Sequence, residues 1–470
     1  MSSQPINKDI FRAYDIRGQI GKEWCVDDSF NDPYLIGQAI GSQLVKRGSP
    51  HIIVGRDGRI SSEAIRDSLV DGLTSVGCDV TDIGLTATPV VYFALTHLNI
   101  SNSVMITGSH NPSDHNGIKI VFENTPITAL VIETLYFDIV RDGHLQKVDK
   151  KEVGKHLKAN NLNDEYQKAI VQNISLKNPL RIAIDCGNGA TALFAESLFS
   201  QLGCEVYPLF CKSDGTFPNH SPDPTVPENL SELIKLVKKE KLDIGIAFDG
   251  DGDRMIAVDN NGKLLWPDRI MILLAQEVLK LAPSARIVFD VKCSYLLPKA
   301  INKAGGQASM CVSGHSILKM QMKRLNAAMG GEFSGHIVMR DRWNDFDDGP
   351  YVTARLLEII SFYQQSTSEL FDTIPDSYST PEFKLHLDTL NKANDLVEQF
   401  IKHANFSGAT LTLIDGLRVD YDDGWGLIRS SNTSVCLGFR FEAETEERLA
   451  EIQQQFQAVF KVFSDLKLPF

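Results

Sequence analysis

The sequence predicts an α/β fold in which three related domains are followed by a smaller α+β domain. The first observation is a unit of strand, acidic-tipped loop, amphipathic helix, glycine and second strand, which occurs three times. The second is a change of pattern after about residue 370. The third is the length of 470 residues, which at roughly 100–150 residues per domain gives three or four domains. The predicted domains span residues 1–153, 154–257, 258–370 and 371–470.

The first copy of the repeated unit lies in the N-terminal part of the chain. It follows a helical pattern over residues 34–48, and its first strand, 51–54, ends at the loop 55–59. An amphipathic helix then ends at Gly77, and a second strand is predicted to begin at Cys78. Glycine is a common residue just after a helix, because it adopts a left-handed backbone without steric cost.

The second and third copies repeat this order. In the second, Asp185 follows the first strand and Gly203 ends the helix; in the third, Asp290 and Gly305 take these places. Second strands are predicted at Cys204 and over 308–312. These are βαβ units, and their spacing of roughly 105 to 130 residues is far longer than the repeat of a solenoid.

A further strand and loop follows each unit. The three loops are 107–112, 249–254 and 331–336. Functional loops of α/β sheets gather at the carboxyl ends of the strands. If the three units are equivalent, these loops occupy equivalent positions and could line one cleft.

The C-terminal region has an α+β pattern. Strands are predicted over 381–387, 410–414, 417–421 and 434–441, and helices over 390–404 and 443–463. The glycine-containing stretch 424–434 is interpreted as a loop between strands.

Composition and charge exclude several classes of function. Hydrophobic residues make up 43% and charged residues 23%, as in soluble globular proteins. Neither a run of about 20 apolar residues nor a secretory signal occurs. The net charge of −13 without a basic stripe argues against nucleic acid or an anionic membrane as partner. The eight cysteines form no Cys-x-x-Cys pair, which excludes a zinc ribbon and favours a reducing cytoplasm.

The loop after the strand near residue 248 carries a pattern typical of a metal site. Asp249, Asp251 and Asp253 alternate with glycines, and three neighbouring carboxylates need a cation to offset their repulsion. Oxygen ligands suit Mg²⁺ or Ca²⁺. An EF-hand would need glycine and glutamate where Arg254 and Asn260 stand. Three ligands leave about three of six octahedral positions open, which fits Mg²⁺ that also binds a phosphate oxygen; a solvated acidic turn is the alternative.

Ser109 follows an apolar strand and Gly108, in a loop that ends with the turn dipeptide Asn111-Pro112. A triad hydrolase is disfavoured, because the sequence has no Gly-x-Ser-x-Gly elbow here and His110 would point away in an extended loop. Beside a metal loop, Ser109 makes better sense as a phosphoryl carrier than as an ordinary serine in a turn.

Three further candidates have side chains that suit a sugar phosphate. The stretch 429–433 combines a guanidinium with hydroxyl and amide donors, which suits a phosphate dianion, although a polar turn is the alternative. If extended, Glu332 and Ser334 would point the same way and could bind neighbouring sugar hydroxyls. Lys119 and His336 are candidate proton carriers.

Six motifs in order carry a resemblance to a known family. They are FRAYDIRG (11–18), TGSHNP (107–112), DGDGDR (249–254), SGHS (313–316), GEFSGH (331–336) and RSSNTS (429–434). Over essentially the whole chain they resemble the α-D-phosphohexomutase superfamily, and most of all its bacterial phosphomannomutase/phosphoglucomutase group. The resemblance implies four domains around a central cleft, with one loop from each.

The resemblance also implies roles for particular residues. It implies a phosphoserine at Ser109, and Mg²⁺ held by Ser109, Asp249, Asp251 and Asp253. It implies sugar contacts by Glu332 and Ser334, and phosphate contacts by Arg429, Ser431, Asn432 and Thr433. The other implied residues of the cleft are Tyr14, Arg17, Arg254, Lys292, His315, His336 and the acid/base Lys119; of these, Lys119, His336 and Arg254 are taken as catalytic with Ser109.

The activity so implied is the interconversion of hexose 1-phosphates and hexose 6-phosphates of mannose and glucose. A hexose 1,6-bisphosphate is the intermediate and activator, and the enzyme is a cytoplasmic monomer with sugar phosphates as its only expected partners. Phosphoglucosamine mutase is the main alternative, disfavoured by Phe333, where methionine is usual among phosphomannomutases and glutamine among phosphoglucosamine mutases. A Mg²⁺-dependent sugar phosphatase and a non-catalytic sugar-phosphate sensor are the others.

Overall fold

A computed structural model of the chain describes residues 6–27, 30–141, 143–149, 152–431 and 435–470. The chain forms two compact units, one of residues 1–267 and 334–368, the other of residues 268–333 and 369–470. The four domain ranges given above stay predictions. None of the helices in the described ranges is both long and apolar enough to cross a membrane.

The strands and helices are numbered along the chain. The strands are β1 (Ile16–Gln19), β2 (Val26–Asp27), β3 (Phe30–Asn31), β4 (His51–Arg56), β5 (Asp79–Leu85), β6 (Ser103–Ile106), β7 (His115–Phe122), β8 (Thr125–Pro126), β9 (His156–Lys158), β10 (Arg181–Asp185), β11 (Glu205–Leu209), β12 (Ile244–Phe248), β13 (Met255–Asp259), β14 (Leu264–Leu265), β15 (Arg286–Asp290), β16 (Gln307–Cys311), β17 (Met329–Gly331), β18 (Ile337–Met339), β19 (Tyr378–Ser379), β20 (Phe383–His386), β21 (Thr410–Thr412), β22 (Leu417–Tyr421), β23 (Gly424–Ser430) and β24 (Cys436–Ala443). The α-helices are α1 (Asp32–Lys46), α2 (Ser62–Ser75), α3 (Thr88–His97), α4 (Ala129–Val140), α5 (Leu162–Asn173), α6 (Ala195–Gln201), α7 (Ser231–Glu240), α8 (Pro267–Leu281), α9 (Leu296–Lys303), α10 (His315–Leu325), α11 (Gly349–Phe362), α12 (Thr367–Asp372), α13 (Leu390–His403) and α14 (Glu446–Phe460).

The first unit contains two mixed sheets. One has the strand order β1-β7-β6-β4-β5-β9, and the other β11-β10-β12-β13-β14. In the first sheet β4 is parallel to both β5 and β6, and β7 is antiparallel to β6. Apolar side chains of α1, α2 and α4 form one hydrophobic core with β4, β6 and β7. The strands that lead into the predicted loops are therefore anchored by packing against these helices.

The predicted threefold repeat is confirmed. Strands β10 and β15 are each parallel to the strand after their helix and to the next strand along the chain, as β4 is. Gly77, Gly203 and Gly305 have φ angles of +86°, +95° and +85°, the left-handed conformation expected of a helix cap. The strands after these glycines begin at Asp79, Glu205 and Gln307, within one residue of the prediction.

The C-terminal part of the second unit is an antiparallel sheet with two helices, α13 and α14, in its core. Its predicted strands and helices are confirmed within a few residues at each end. The predicted loop over 424–434 is wrong for its first seven residues, which form β23 and pair with both β22 and β24. The glycines that suggested a loop serve packing instead, because a Cβ on Gly426 would lie 2.5 Å from the ring of Phe456 in α14.

Candidate active site

Ser109 lies just beyond the carboxyl end of β6, whose four residues are all buried. Its φ angle is +50°, a left-handed conformation that costs a serine about 1–2 kcal/mol. The side chain is buried, and its Oγ donates a hydrogen bond to Asp249 Oδ2 at 2.9 Å. The expectation that His110 points away is wrong, since its Nδ1 lies 3.2 Å from Ser109 Oγ. The left-handed turn at Ser109 replaces the extended loop on which that expectation rested.

The three predicted metal ligands occupy the turn between β12 and β13. Asp249, Asp251 and Asp253 are fully buried, and one oxygen from each lies within 4.8 Å of the others. Gly250 brings this turn against the serine loop, because a Cβ there would lie 2.4 Å from the carbonyl oxygen of Ser109. The sequence therefore places glycine where the two loops come into direct contact.

Two cations partly balance the three carboxylates. Lys119 Nζ, on β7, lies 2.6 Å from Asp251 and 2.5 Å from Asp253, and Arg254 Nε lies 3.8 Å from Asp249. When all three carboxylates are ionised, one formal negative charge remains uncompensated among these five groups. Asp251 Oδ1 and Asp253 Oδ1 are buried and accept no hydrogen bond from the described residues. Buried oxygens of this kind, together with the surplus negative charge, fit a bound divalent cation.

The pKa values of the cluster follow from burial and from its charges. Burial, reinforced by Asp251 and Asp253, raises the pKa of Asp249 well above its usual range. Burial acts in the same direction on Asp251, but Lys119 outweighs it and lowers the pKa of this carboxyl. For Lys119, burial is outweighed by Asp251 and Asp253, which raise the pKa of its ammonium group. Lys119 therefore carries a proton in this arrangement.

Arg254 and His336 are in direct contact. Arg254 Nε donates to His336 Nε2 at 2.8 Å, and His336 Nδ1 lies 2.6 Å from Asp347 Oδ2. Because Nε2 accepts a hydrogen bond, the proton of the neutral ring is assigned to Nδ1, which faces Asp347. Asp347 was not predicted from the sequence; its neighbour Asp348 caps α11, and a carboxylate beside a helix start gives no sign of a distant histidine.

Thr88 is a second residue that the sequence did not reveal. Its backbone N–H donates to the carbonyl oxygen of Asp251 at 2.8 Å, and its hydroxyl to Asp251 Oδ2 at 2.5 Å. Thr88 begins α3, just before Pro89. A threonine at a helix start is an ordinary capping signal, so nothing in the pattern indicates a partner 163 residues away.

The other predicted residues of the first unit lie in the N-terminal loop and in the turn after β17. Arg17 donates to Asn111 Oδ1 at 3.3 Å and to Asp15 at 2.5 Å, which places it against the serine loop. Tyr14 is half-buried three residues earlier. Residues 333–334 form a turn, so the extended segment expected to align Ser334 with Glu332 is not present.

A second group of predicted residues gathers in the second unit. Glu332 Oε1 accepts a hydrogen bond from the backbone N–H of Gly314 at 2.5 Å, directly before His315, the first residue of α10. Arg429 Nε, on β23, donates to Asp415 at 3.0 Å. Burial is outweighed by Glu382 and Asp290, which raise the pKa of the Lys292 ammonium group.

Asp290 organises this second group and was recognised in the sequence only as a loop tip. It is fully buried and accepts hydrogen bonds from Ser313 Oγ at 2.5 Å and from the backbone N–H of Phe333 at 3.1 Å. It thereby links the loops that carry His315 and Glu332. Ser431 donates its backbone N–H to the carbonyl oxygen of Cys436 at 3.0 Å. The predicted phosphate ligands Asn432 and Thr433 lie outside the described residues.

The sequence matches the models of four consecutive domains of one protein family. Those of phosphoglucomutase/phosphomannomutase alpha/beta/alpha domains I, II and III match residues 8–140, 164–262 and 266–378, and that of the C-terminal domain matches residues 386–459. Together they support the fold class of three α/β domains and a C-terminal domain predicted above.

Full-length relatives agree with these matches. A phosphomannomutase/phosphoglucomutase of Pseudomonas putida is 45% identical over 98% of this chain and 97% of its own. A phosphoglucomutase of Neisseria meningitidis serogroup A is 43% identical over 99% of each chain. The crystal structure of a phosphoglucomutase/phosphomannomutase family protein from Burkholderia thailandensis matches with a TM-score of 0.92 and 41% identity, over 99% of this chain and 100% of that one.

Proposed function

The chain belongs to the phosphoglucomutase/phosphomannomutase family, and we propose that it interconverts the 1- and 6-phosphates of mannose and glucose through a phosphoserine at Ser109. The observation that carries this proposal is the 2.9 Å hydrogen bond from Ser109 Oγ to Asp249. The buried hydroxyl of Ser109 directly contacts a cluster of three carboxylates, which suits a phosphoryl group held beside a cation. Family membership supports the same reaction.

In the proposed reaction, phosphorylated Ser109 gives its phosphoryl group to the free hydroxyl of a hexose phosphate. The P–O bond to the serine breaks as a P–O bond to the sugar forms. The serine oxygen takes a proton from Lys119, and the proton released by the sugar hydroxyl restores the Lys119 ammonium group. The hexose 1,6-bisphosphate then reorients, and its other phosphate returns to Ser109. Phosphate monoesters are so inert that the barrier must fall by about 20 kcal/mol, and positioning and charge stabilisation supply most of this.

The residues around Ser109 suit this chemistry. Arg17 and Arg254 would offset charge on the phosphoryl oxygens. Lys119, whose ammonium group keeps its proton beside Asp251 and Asp253, would act as the acid that protonates the departing oxygen and as the base in the opposite direction. His336 holds Arg254 by its Nε2, so it would act on the reaction through that guanidinium.

The metal proposed for the carboxylate cluster is Mg²⁺. Asp249, Asp251 and Asp253, with an oxygen of phosphorylated Ser109, would hold it, because hard oxygen ligands and open coordination positions suit this ion. When bound, Mg²⁺ would offset the negative charge of the transferring phosphoryl group.

The remaining predicted residues are proposed to bind the sugar and the phosphate that is not being transferred. Glu332 would accept hydrogen bonds from sugar hydroxyls, and Ser334 is proposed as a further sugar contact. The phosphate that is not being transferred is assigned to Arg429, Ser431, Asn432 and Thr433, with Lys292 and His315 beside them. Tyr14 is proposed as a further substrate contact. The protein is further proposed to be a cytoplasmic monomer that a hexose 1,6-bisphosphate activates.

The test is a coupled assay on mannose 1-phosphate and glucose 1-phosphate with glucose 1,6-bisphosphate as activator. The wild type should isomerise both, and intact mass should show one added phosphoryl group. Ser109→Ala should lose at least about 10³-fold in kcat, as removal of a covalent nucleophile does, and should not take up phosphate. Ser284→Ala is the matched control, since Ser284 is an exposed serine with the same left-handed backbone, φ +67°. Release of inorganic phosphate without an isomerised product would contradict the proposal.

A further inference from the structure

One arginine spans the loop that carries Ser109. Arg59 follows the carboxyl end of β4, and its side chain is fully buried, with 0% exposure. Its two terminal nitrogens donate to four backbone carbonyls, those of Ser109 (2.7 Å), Asn111 (2.7 Å) and Pro112 (2.5 Å) in the loop and that of His115 (2.9 Å) at the start of β7. Its Nε donates to Asp57 at 3.2 Å. All five N–H donors of the guanidinium are thus engaged.

The guanidinium is in close contact with its surroundings on several sides. A Cβ on Gly108 would lie 2.6 Å from Arg59 Cζ, so the loop touches the arginine face directly. The ring of Phe217 lies 4.9 Å from Cζ. Gly215 closes against the backbone of Arg59, where a Cβ would lie 2.5 Å from Cα. The arginine is therefore enclosed between the serine loop and the loop that contains Phe217.

The partner carboxylate is itself fixed. Asp57 Oδ1 accepts hydrogen bonds from the backbone N–H of Arg59 at 3.0 Å and from Ser62 Oγ at 2.5 Å. Asn116, just after the serine loop, donates to Ser62 Oγ at 2.9 Å. The start of α2 and the far end of the serine loop are thereby tied to the same carboxylate that orients Arg59.

We propose that Arg59 is a positioning residue for phosphoryl transfer, which holds Ser109 in the left-handed backbone conformation from which its Oγ reaches Asp249. The peptide groups on both sides of the serine are restrained, since its N–H donates to Thr107 Oγ1 at 2.8 Å and its carbonyl accepts from Arg59. Nothing in this arrangement brings Arg59 into contact with the hydroxyl that reacts. Its effect passes through the backbone, and it rests on the role of Ser109 proposed above.

The test must separate an effect on the geometry at Ser109 from the loss of stability that any buried arginine would cause when replaced. Arg59→Lys keeps the positive charge but offers one nitrogen in place of three, so it cannot bind four carbonyls. The matched control is Arg355→Lys in the same unit. Arg355 is 3% exposed and donates two hydrogen bonds to Asp341, at 3.0 and 2.9 Å, so it provides a comparable buried arginine away from the serine loop.

The measurement is the rate at which glucose 1,6-bisphosphate phosphorylates Ser109, followed by intact mass, together with kcat, KM and Tm. Arg59→Lys should lower the rate at saturating bisphosphate by about 100-fold, the typical effect of misplacing a reacting atom by about 1 Å, and change KM less than threefold. Arg355→Lys should have a lower Tm than the wild type, but its rate of Ser109 phosphorylation should stay within threefold of the wild-type rate. A rate within threefold of wild type in Arg59→Lys, or equal loss of rate in both variants, would overturn the proposal.

A second variant covers the case in which Arg59→Lys does not fold. The Cβ added by Gly108→Ala would lie 2.6 Å from Arg59 Cζ and 2.8 Å from the carbonyl oxygen of His115. The variant should therefore disturb the contact between the guanidinium and the loop, and the same loss of rate with an unchanged KM is expected. A normal rate in Gly108→Ala would count against the role of Arg59. Failure of wild-type Ser109 to take up phosphate would instead contradict the proposed function, so the two failures are distinguishable.

Discussion

Lys119 offers the sharpest test of the charge balance in the carboxylate cluster. Its side chain is 5% exposed, and its Nζ lies within 2.6 Å of two fully buried carboxylates, Asp251 and Asp253. Lys119→Met keeps most of the length of the side chain, which ends one heavy atom earlier, and removes the charge. Removing one partner of a buried ion pair costs about 3–5 kcal/mol, because the remaining charge stays buried without compensation. We therefore expect Tm in chelator-treated buffer to fall by roughly 5–10 °C.

Added Mg²⁺ should reverse part of this loss. An ion at a free concentration about 100 times its Kd stabilises the folded state by about 2.7 kcal/mol, and it would replace the positive charge that the lysine supplied. The assay is differential scanning calorimetry with and without Mg²⁺. Lys235→Met is the control, since Lys235 is 71% exposed beside Glu232 and its pair is worth less than about 1 kcal/mol. Equal small losses in both variants, or a large loss that Mg²⁺ leaves unchanged, would refute the charge argument.

Two further variants test the buried carboxylates. Burial raises the pKa of Asp348 to about 6 despite hydrogen bonds from Tyr166 and Trp343. The folded state therefore binds the proton more tightly than the unfolded chain does, and the stability from this proton is lost as pH rises from about 4 towards 6. Asp348→Asn should remove this loss, so that urea titrations show the variant gaining about 2 kcal/mol relative to wild type between pH 4.5 and pH 7; a constant difference would contradict the assignment. Asp251→Asn should weaken Mg²⁺ binding at least 10-fold by isothermal titration calorimetry, and unchanged affinity would remove the loop from the metal site.

The repeat could be predicted because its signals are local. Each copy places a buried strand, a helix and a capping glycine within about 35 residues, and the left-handed φ angles at Gly77, Gly203 and Gly305 depend on their own helix ends. The metal loop could be predicted for the same reason, since its three carboxylates are two residues apart. Chemistry that fits inside one turn can be recognised without knowledge of the tertiary structure.

The failures concern segments whose partners lie elsewhere in the sequence. The glycines of β23 indicate a loop when considered alone, but a helix that begins at Glu446 requires the space above Gly426. The extended interpretation of the serine loop failed at His110, because a backbone rotation at Ser109 is set by groups outside that loop. In both places a tertiary contact decided the local conformation.

Residues that act through backbone atoms leave the weakest trace in a sequence. Arg59 binds four carbonyl oxygens, and every residue has one, so no side-chain pattern marks the positions 50 to 56 residues later that it holds. Thr88 fixes Asp251 partly through its own N–H, across 163 residues. Sequence motifs indicate where phosphate groups and a metal ion would bind, because those ligands need particular side chains. The residues that fix the geometry of those motifs bind backbone N–H and carbonyl groups, which every part of the chain offers. These residues can therefore be identified only once the folded structure is known.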